Sequence, residues 1–182
     1  LMVHYMTDPK IVSYSVIEEG WSVTSLLGRI ARAKPPFHAL IDTGALITGL
    51  TNYQVAKYLL ENGLTALEGV VFLDEFDRKV ILVRATMTVV PLAQSGIPTW
   101  KRFSFYDQIH TTGMDIDQAI NAIAVLTLGK DMIFRDFAQG AFRMRVIANG
   151  QTLKLFVIPE VRKLISTHCS AAGIPYMQSP VP

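Results

Sequence analysis

Short apolar runs alternate with polar loops along the middle of this chain. Runs suited to strands stand at residues 38–41, 70–73, 79–83, 103–106, 124–128 and 153–158. After the first run, Thr51-Asn52 is a favourable helix start, an apolar face follows, and Asn62-Gly63 is a favourable stop. Strands that alternate with helices predict an α/β domain with a parallel sheet covered on both sides.

The amino-terminal part has a different pattern. Its apolar residues recur at spacings of three to five, which predicts one or two amphipathic helices, and Pro35-Pro36 ends this part. The residues concerned are Val12, Val16, Ile17, Trp21, Leu26, Leu27 and Ile30. We therefore expect a helical entry segment at residues 1–36, the main domain at 37–168 and an extended tail at 169–182.

Composition narrows the class of protein. Among 182 residues, 50% are hydrophobic and 18% charged, which favours a module of a larger assembly with some apolar surface covered. The absence of an initiator methionine at Leu1 also favours a fragment. A net charge of +2 is too small to indicate nucleic-acid binding. With Cys169 as its single cysteine, the sequence excludes an internal disulfide framework. It also shows no apolar core of a signal peptide and no apolar run long enough to cross a bilayer. We therefore expect a cytoplasmic or nuclear protein without membrane contact.

The tripeptide Asp42-Thr43-Gly44 follows the first apolar run and allows three interpretations. It matches the active-site string of retroviral-type aspartic proteases, in which two such loops from two subunits share a proton and activate water. With one copy of the string, this chain would have to act as a homodimer. An aspartate at the end of a strand also commonly caps the following turn, and a contact within a motor protein is the third possibility.

Other polar clusters give weak signals for metals or phosphates. Residues 74–79, DEFDRK, lie between two apolar runs and favour a hairpin tip over a magnesium site. Asp107, Asp115 and Asp117 have no histidine at ligand spacing, so no metal site is predicted. The sequence LGKD at residues 128–131 lacks the first glycine and the hydroxyl of a phosphate-binding loop.

Two segments carry most of the functional information, FYDQIHTTGMDI and FRDFAQGAFRMRVIANGQTLKLFVI. In the first, Gly113 permits close backbone approach to a ligand, and Asp115 can accept a hydrogen bond from a ribose hydroxyl. In the second, Arg135, Gln139 and Arg143 recur at a spacing of four on one helical face. That face is either a solvated basic surface or a contact with phosphate, since arginine forks match phosphate oxygens.

The order of these segments resembles the second RecA-like lobe of superfamily-two helicases and of the protein-translocation ATPase SecA. In that family a strand leads to a Thr/Ala-Gly-x-Asp loop, and a later helix carries glutamine and arginines that reach ATP bound on the first lobe. Here the spacing departs from the usual Q-x-x-G-R-x-G-R, with Gln139, Arg143 and Arg145, and Val146 where the last arginine would fall.

A narrower resemblance covers residues 37–164. HALIDTGALITGL, RFSFYDQIHTTGMDI, TLGKDMIFRDFAQGAFRMR and GQTLKLFVIPEV are similar to strings in very large eukaryotic proteins that are defined as domains of unknown function and often labelled ubiquitin thioesterase-like. Members of that family carry a GxGKT phosphate-binding segment upstream of this region.

These resemblances imply a three-layer, RecA-like P-loop NTPase second lobe that is inactive alone. They imply that Gln139, Arg143 and Arg145 act in ATP hydrolysis, while Thr112, Gly113 and Asp115 contact nucleotide. ATP with Mg would be held mainly by the first lobe of the same parent chain, and nucleic acid or polypeptide would be moved. The alternatives are the aspartic protease built on Asp42 and a non-catalytic scaffold lobe of a large ubiquitin thioesterase-like protein.

Overall fold

A computed structural model of the chain describes residues 12–110, 119, 121–129 and 151–163. The two complete helices of this part are α1 (Val23–Ala31) and α2 (Asn52–Asn62), and residues 159–163 are also helical. The strands are β1 (Val12–Val16), β2 (Ala39–Ile41), β3 (Gly69–Leu73), β4 (Lys79–Val83), β5 (Thr88–Pro91), β6 (Arg102–Tyr106), β7 (Ile123–Leu128) and β8 (Thr152–Val157).

The eight strands form one sheet in the order β1-β8-β7-β2-β6-β3-β4-β5. The first six strands of this order are mutually parallel, and β4 and β5 extend the sheet as antiparallel neighbours. The predicted α/β class with a mostly parallel sheet is therefore confirmed, and the architecture is compatible with three layers.

Both faces of the sheet are apolar, as buried parallel strands require. On β2, Leu40 belongs to one core cluster, whereas Ala39 and Ile41 belong to the cluster on the opposite face. On β7 the same alternation places Val125 on one face and Leu126 on the other. The period of two thus divides the central strands between two cores, and the first core contains the buried sides of α1 and α2.

Local capping defines the two helices. Ser22 and Ser25 form a reciprocal capping box at the start of α1, and Thr51 and Gln54 form one at the start of α2. The carboxyl end of α2 is held by the Arg84 guanidinium, which donates to the carbonyl oxygens of residues 60, 63, 64 and 67 at 2.6–3.1 Å. A cation placed on carbonyl groups at the carboxyl end of a helix stabilises that end.

The structure corrects one prediction for the amino-terminal part. Val12–Val16 is not helical but forms β1, which pairs in parallel with β8 from Val12↔Leu153 to Val16↔Val157. Of the one or two helices predicted in this part, one is confirmed, namely α1 at Val23–Ala31. The Arg29 guanidinium of α1 donates to the Ser15 hydroxyl of β1 and lies 4.9 Å from the ring centroid of Phe156 on β8. Through this one side chain, α1 contacts both β1 and β8.

The segment DEFDRK is a hairpin turn, as predicted. It connects β3 to β4, which pair antiparallel from Gly69↔Val83 to Leu73↔Lys79. Asp77 lies in the left-handed region with φ 59°, a conformation that aspartate adopts more readily than most residues.

Candidate functional site at the carboxyl rim of the sheet

Three central strands end at the same rim of the sheet. β6 and β7 are both parallel neighbours of β2, so the residues that follow Ile41, Tyr106 and Leu128 all leave the sheet in one direction. In α/β proteins, ligands bind beyond the carboxyl ends of the strands, at the point where successive connections diverge. Here β2 is followed by β3 on one side and β7 by β8 on the other, which places that point between β2 and β7.

Asp42 occupies this point and is almost completely buried, with 1% of its surface exposed. Its Oδ1 atom accepts hydrogen bonds from the Leu46 amide at 2.9 Å and the Thr127 hydroxyl at 2.8 Å, and its Oδ2 atom accepts one from the Ile47 amide at 3.0 Å. The predicted turn-capping role is therefore confirmed, and the carboxylate also ties β2 to β7. Burial raises the pKa of Asp42 more than these three bonds lower it, and the Asp107 carboxylate adds to the rise.

Two glycines close the space between the same strand ends. The Gly44 amide donates to the Thr127 hydroxyl oxygen at 3.0 Å. A Cβ atom built on Gly44 would lie 2.6 Å from the Gly129 amide nitrogen, and one built on Gly129 would lie 2.6 Å from the Gly44 carbonyl oxygen. The two backbones thus touch in a way that only glycine permits, and no room for a phosphate group is left between them.

A second polar connection crosses the neighbouring strands. The Asn52 amide group, at the first residue of α2, donates to the Leu73 carbonyl oxygen at 3.0 Å and to the Asp107 Oδ2 atom at 2.9 Å. One side chain therefore joins the amino end of α2 to the carboxyl ends of β3 and β6. Asp107 is fixed in this way directly before the segment that contains the TTGMDI sequence.

His38 fixes the opposite ends of β2 and β7. Its Nδ1 atom accepts a hydrogen bond from the Ile123 amide at 3.1 Å, so this nitrogen is unprotonated. Burial lowers the pKa of His38, which favours the same neutral state. The imidazole is thus a structural acceptor between the two strands.

The structure places only part of the predicted site. Asp42, Thr43 and Gly44 lie together at the rim, and the buried Thr43 hydroxyl has no hydrogen-bond partner among the residues that the structure describes. Six predicted site residues lie outside the described part of the chain: Thr112, Gly113, Asp115, Gln139, Arg143 and Arg145. Their proposed roles stay predictions.

Thr127, Gly129 and Asn52 were not predicted as members of this site. The only signal for Thr127 is a hydroxyl within the apolar run AVLTL, where a buried polar group requires a partner. That partner, Asp42, is 85 positions away along the chain. The pairing follows only once β2 and β7 are known to be neighbours.

The described residues contain no group of three or more His, Cys, Asp or Glu side chains arranged to hold a metal ion. None of the helices in the described part is both long and apolar enough to cross a bilayer.

The fold and the rim define an α/β protein with a mostly parallel eight-stranded sheet and a closed, carboxylate-tied junction between its central strands. Comparison with protein families, with curated proteins and with solved structures found no match.

Proposed function

We propose that this chain is the second, RecA-like lobe of a helicase- or translocase-like ATPase. One observation carries the proposal: β6 and β7 lie on either side of β2 and run in its direction. The chain therefore enters the TTGMDI segment and the arginine-bearing segment from the same rim of one sheet. A motor lobe of this kind needs both segments to face a companion lobe across that rim.

The closed junction supports a division of labour between two lobes. A loop that cradles phosphate must offer free backbone amides. In the loop after β2, the Leu46 and Ile47 amides already bind the Asp42 carboxylate, and the Gly44 amide binds Thr127. This part of the rim therefore has no free cradle for a triphosphate. ATP with Mg would be held by the first lobe, and Arg143, Arg145 and Gln139 would reach it from this chain.

The function of the arginines is tested by ATP hydrolysis in the intact parent protein. Arg143→Ala and Arg145→Ala are compared with the wild type. Arg32→Ala serves as the control, because Arg32 is an exposed arginine at the carboxyl end of α1. If one arginine acts as a finger on the γ-phosphate, its loss lowers the hydrolysis rate by about 10³-fold or more. Equal rates in all four proteins would defeat the motor proposal and leave the scaffold lobe.

The aspartic protease is a weaker alternative. A catalytic dyad needs two carboxyl groups that share a proton across a dimer, whereas the Asp42 carboxylate is buried and accepts three hydrogen bonds from its own chain. Pepstatin-sensitive cleavage of a peptide substrate that disappears in Asp42→Ala would establish this alternative. Absence of such cleavage in the wild type would remove it.

A further inference from the structure

A groove of about 800 Å³ lies beside β3, on the side of β6 away from the Asp42 junction. Its walls come from the amino end of α2, the β3–β4 hairpin, β5 and the residues after β6. None of its described lining residues belongs to TTGMDI or to the arginine-bearing segment, although Asp107 and Ile109 directly precede TTGMDI. The groove therefore requires an explanation of its own.

The groove collects exposed apolar side chains. Five large hydrophobic residues of the described part are exposed, and four of them line this groove: Tyr53, Phe76, Val89 and Ile109. Phe76 and Ile109 are 75% and 79% exposed. The fifth, Trp100, lies elsewhere. Single exposed apolar residues are ordinary, but a cluster on one concave surface indicates a site of interaction.

The hairpin presents Phe76 in a fixed position. The Asp74 carboxylate accepts hydrogen bonds from the Phe76 and Arg78 amides at 2.9 Å and from the Arg78 Nε atom at 2.8 Å. The Arg78 guanidinium lies 5.0 Å from the centroid of the Phe76 ring. Although desolvation acts to raise the pKa of Asp74, the hydrogen bonds from Arg78 and Phe76 outweigh it and lower that pKa, so the turn stays capped at neutral pH. An aromatic side chain held in this way loses little entropy on binding.

The charge of the groove selects the partner. Among the described residues of the lining, Asp74, Glu75, Asp77 and Asp107 supply four carboxylates, and Arg78 is the one basic residue. The groove is therefore negative, although the whole chain has a net charge of +2. A negative lining repels the phosphates of nucleic acid and attracts lysine and arginine.

We infer that this groove binds a segment of a partner polypeptide in which apolar side chains alternate with lysine or arginine. The apolar side chains would pack against Tyr53, Phe76 and Ile109, and the basic ones would approach Glu75 and Asp77. Aromatic residues in fixed pockets dominate the binding energy of such interfaces, while charges at the rim set the choice of partner. The inference does not depend on the motor proposal.

The test uses the full 182-residue chain and fluorescence anisotropy with three labelled synthetic peptides. In the first, leucine and phenylalanine alternate with lysine; in the second, glutamate replaces lysine; in the third, serine replaces the apolar residues. We expect the protein to bind the first peptide more tightly than the other two. Added salt should weaken this binding. Phe76→Ser should weaken binding about tenfold, as loss of an anchoring aromatic does, and Glu75→Lys should weaken it as well.

Two matched variants provide the controls. Trp100→Ser removes another exposed aromatic residue, which lies outside the groove and is 63% exposed. Glu19→Lys reverses an exposed charge that is distant from Glu75 in the sequence. Both should bind the first peptide as the wild type does. Failure of the wild type to bind it, equal binding of the glutamate peptide, or an equal loss in Trp100→Ser would each overturn the inference. Sedimentation showing a dimer that Phe76→Ser dissociates would assign the groove to a second copy of this chain and overturn it too.

Discussion

Replacing Asp42 by alanine removes one acceptor group that three donors share. The Leu46 amide and the Thr127 hydroxyl would lose their partner in a buried region, and the Ile47 amide would lose its partner in a partly buried one. Each buried donor left unpaired costs about 1–3 kcal/mol, and removal of a buried carboxylate recovers part of that loss. We therefore expect Asp42→Ala to lower the free energy of unfolding by about 3 kcal/mol.

The conservative variant Asp42→Asn should lose less. Its oxygen can stay with the Leu46 amide and Thr127, while its nitrogen faces the Ile47 amide, so one bond is replaced by two opposed donors. The expected loss is about 1–2 kcal/mol. For a chain of this length, each kcal/mol lowers the melting temperature by about 2–4 °C, so about 6–12 °C is expected for alanine and about half of that for asparagine.

Asp74→Ala is the matched control. Asp74 also caps its turn through three hydrogen bonds, but in an exposed hairpin where water replaces the lost acceptor. In urea unfolding, this variant should lose less than about 1 kcal/mol of the free energy of unfolding. If Asp42→Ala is no more destabilising than Asp74→Ala, the carboxylate does not hold β2 to β7 and the reasoning fails.

The pH dependence gives a second check on Asp42. Burial raises the pKa of Asp42 in the folded protein above 3.8, the value in an unfolded chain. The protonated side chain therefore adds to the stability of the folded state at pH values below 3.8, and this addition is lost as pH rises through the folded pKa. The difference in stability between wild type and Asp42→Asn should therefore narrow as pH rises through this window. A constant difference would contradict the assignment.

Three further variants test other contacts. Gly44→Ala forces a Cβ against the Gly129 backbone and should lower the free energy of unfolding in urea by about 1–3 kcal/mol. Gly49→Asn should lower it less, because nothing lies within 4 Å of that position and asparagine tolerates the positive φ of 77° better than most residues; equal losses would contradict the close approach. Because burial lowers the pKa of His38, we expect the wild type to lose stability as pH falls below about 6.5, the value of an unperturbed histidine. His38→Asn keeps an acceptor for the Ile123 amide but cannot titrate, so this loss should disappear; an unchanged pH profile would exclude His38 as its source. Arg84→Met should lower the free energy of unfolding by about 3 kcal/mol, because the carbonyl groups of residues 60, 63, 64 and 67 lose their donor, and Arg84→Lys should lower it less. Full stability of Arg84→Met would show that water serves these carbonyl groups equally well.

Local patterns were sufficient to predict much of this fold. The start and stop of α2 were predicted from Thr51-Asn52 and Asn62-Gly63, and they agree with the capping box at Thr51 and the end at Gly63. The apolar runs that became β2, β3, β7 and β8 were predicted because buried parallel strands are continuous in hydrophobicity. β1 was missed because Val12 and Val16 also fit a helical period, and only its pairing with β8 decides the matter.

The candidate site was less predictable than the fold. Turn capping was one of three interpretations that the neighbours of Asp42 allowed, but its contact with Thr127 depends on the order of strands in the sheet. The groove around Phe76 is likewise built from four separated parts of the chain. Local sequence predicts which side chains are polar or apolar, but it does not predict which of them meet.

The pairing of β1 with β8 affects how this protein can be divided for experiments. A fragment that begins at Phe37 would keep every central strand but would leave β8 without its outer neighbour and without the Arg29 contact to Phe156. The freed backbone groups of β8 could then pair with another molecule, since uncovered strand edges promote aggregation. Shortened versions of this protein should therefore retain residues 12–31, and insolubility of a version without them should not be attributed to the remaining sheet.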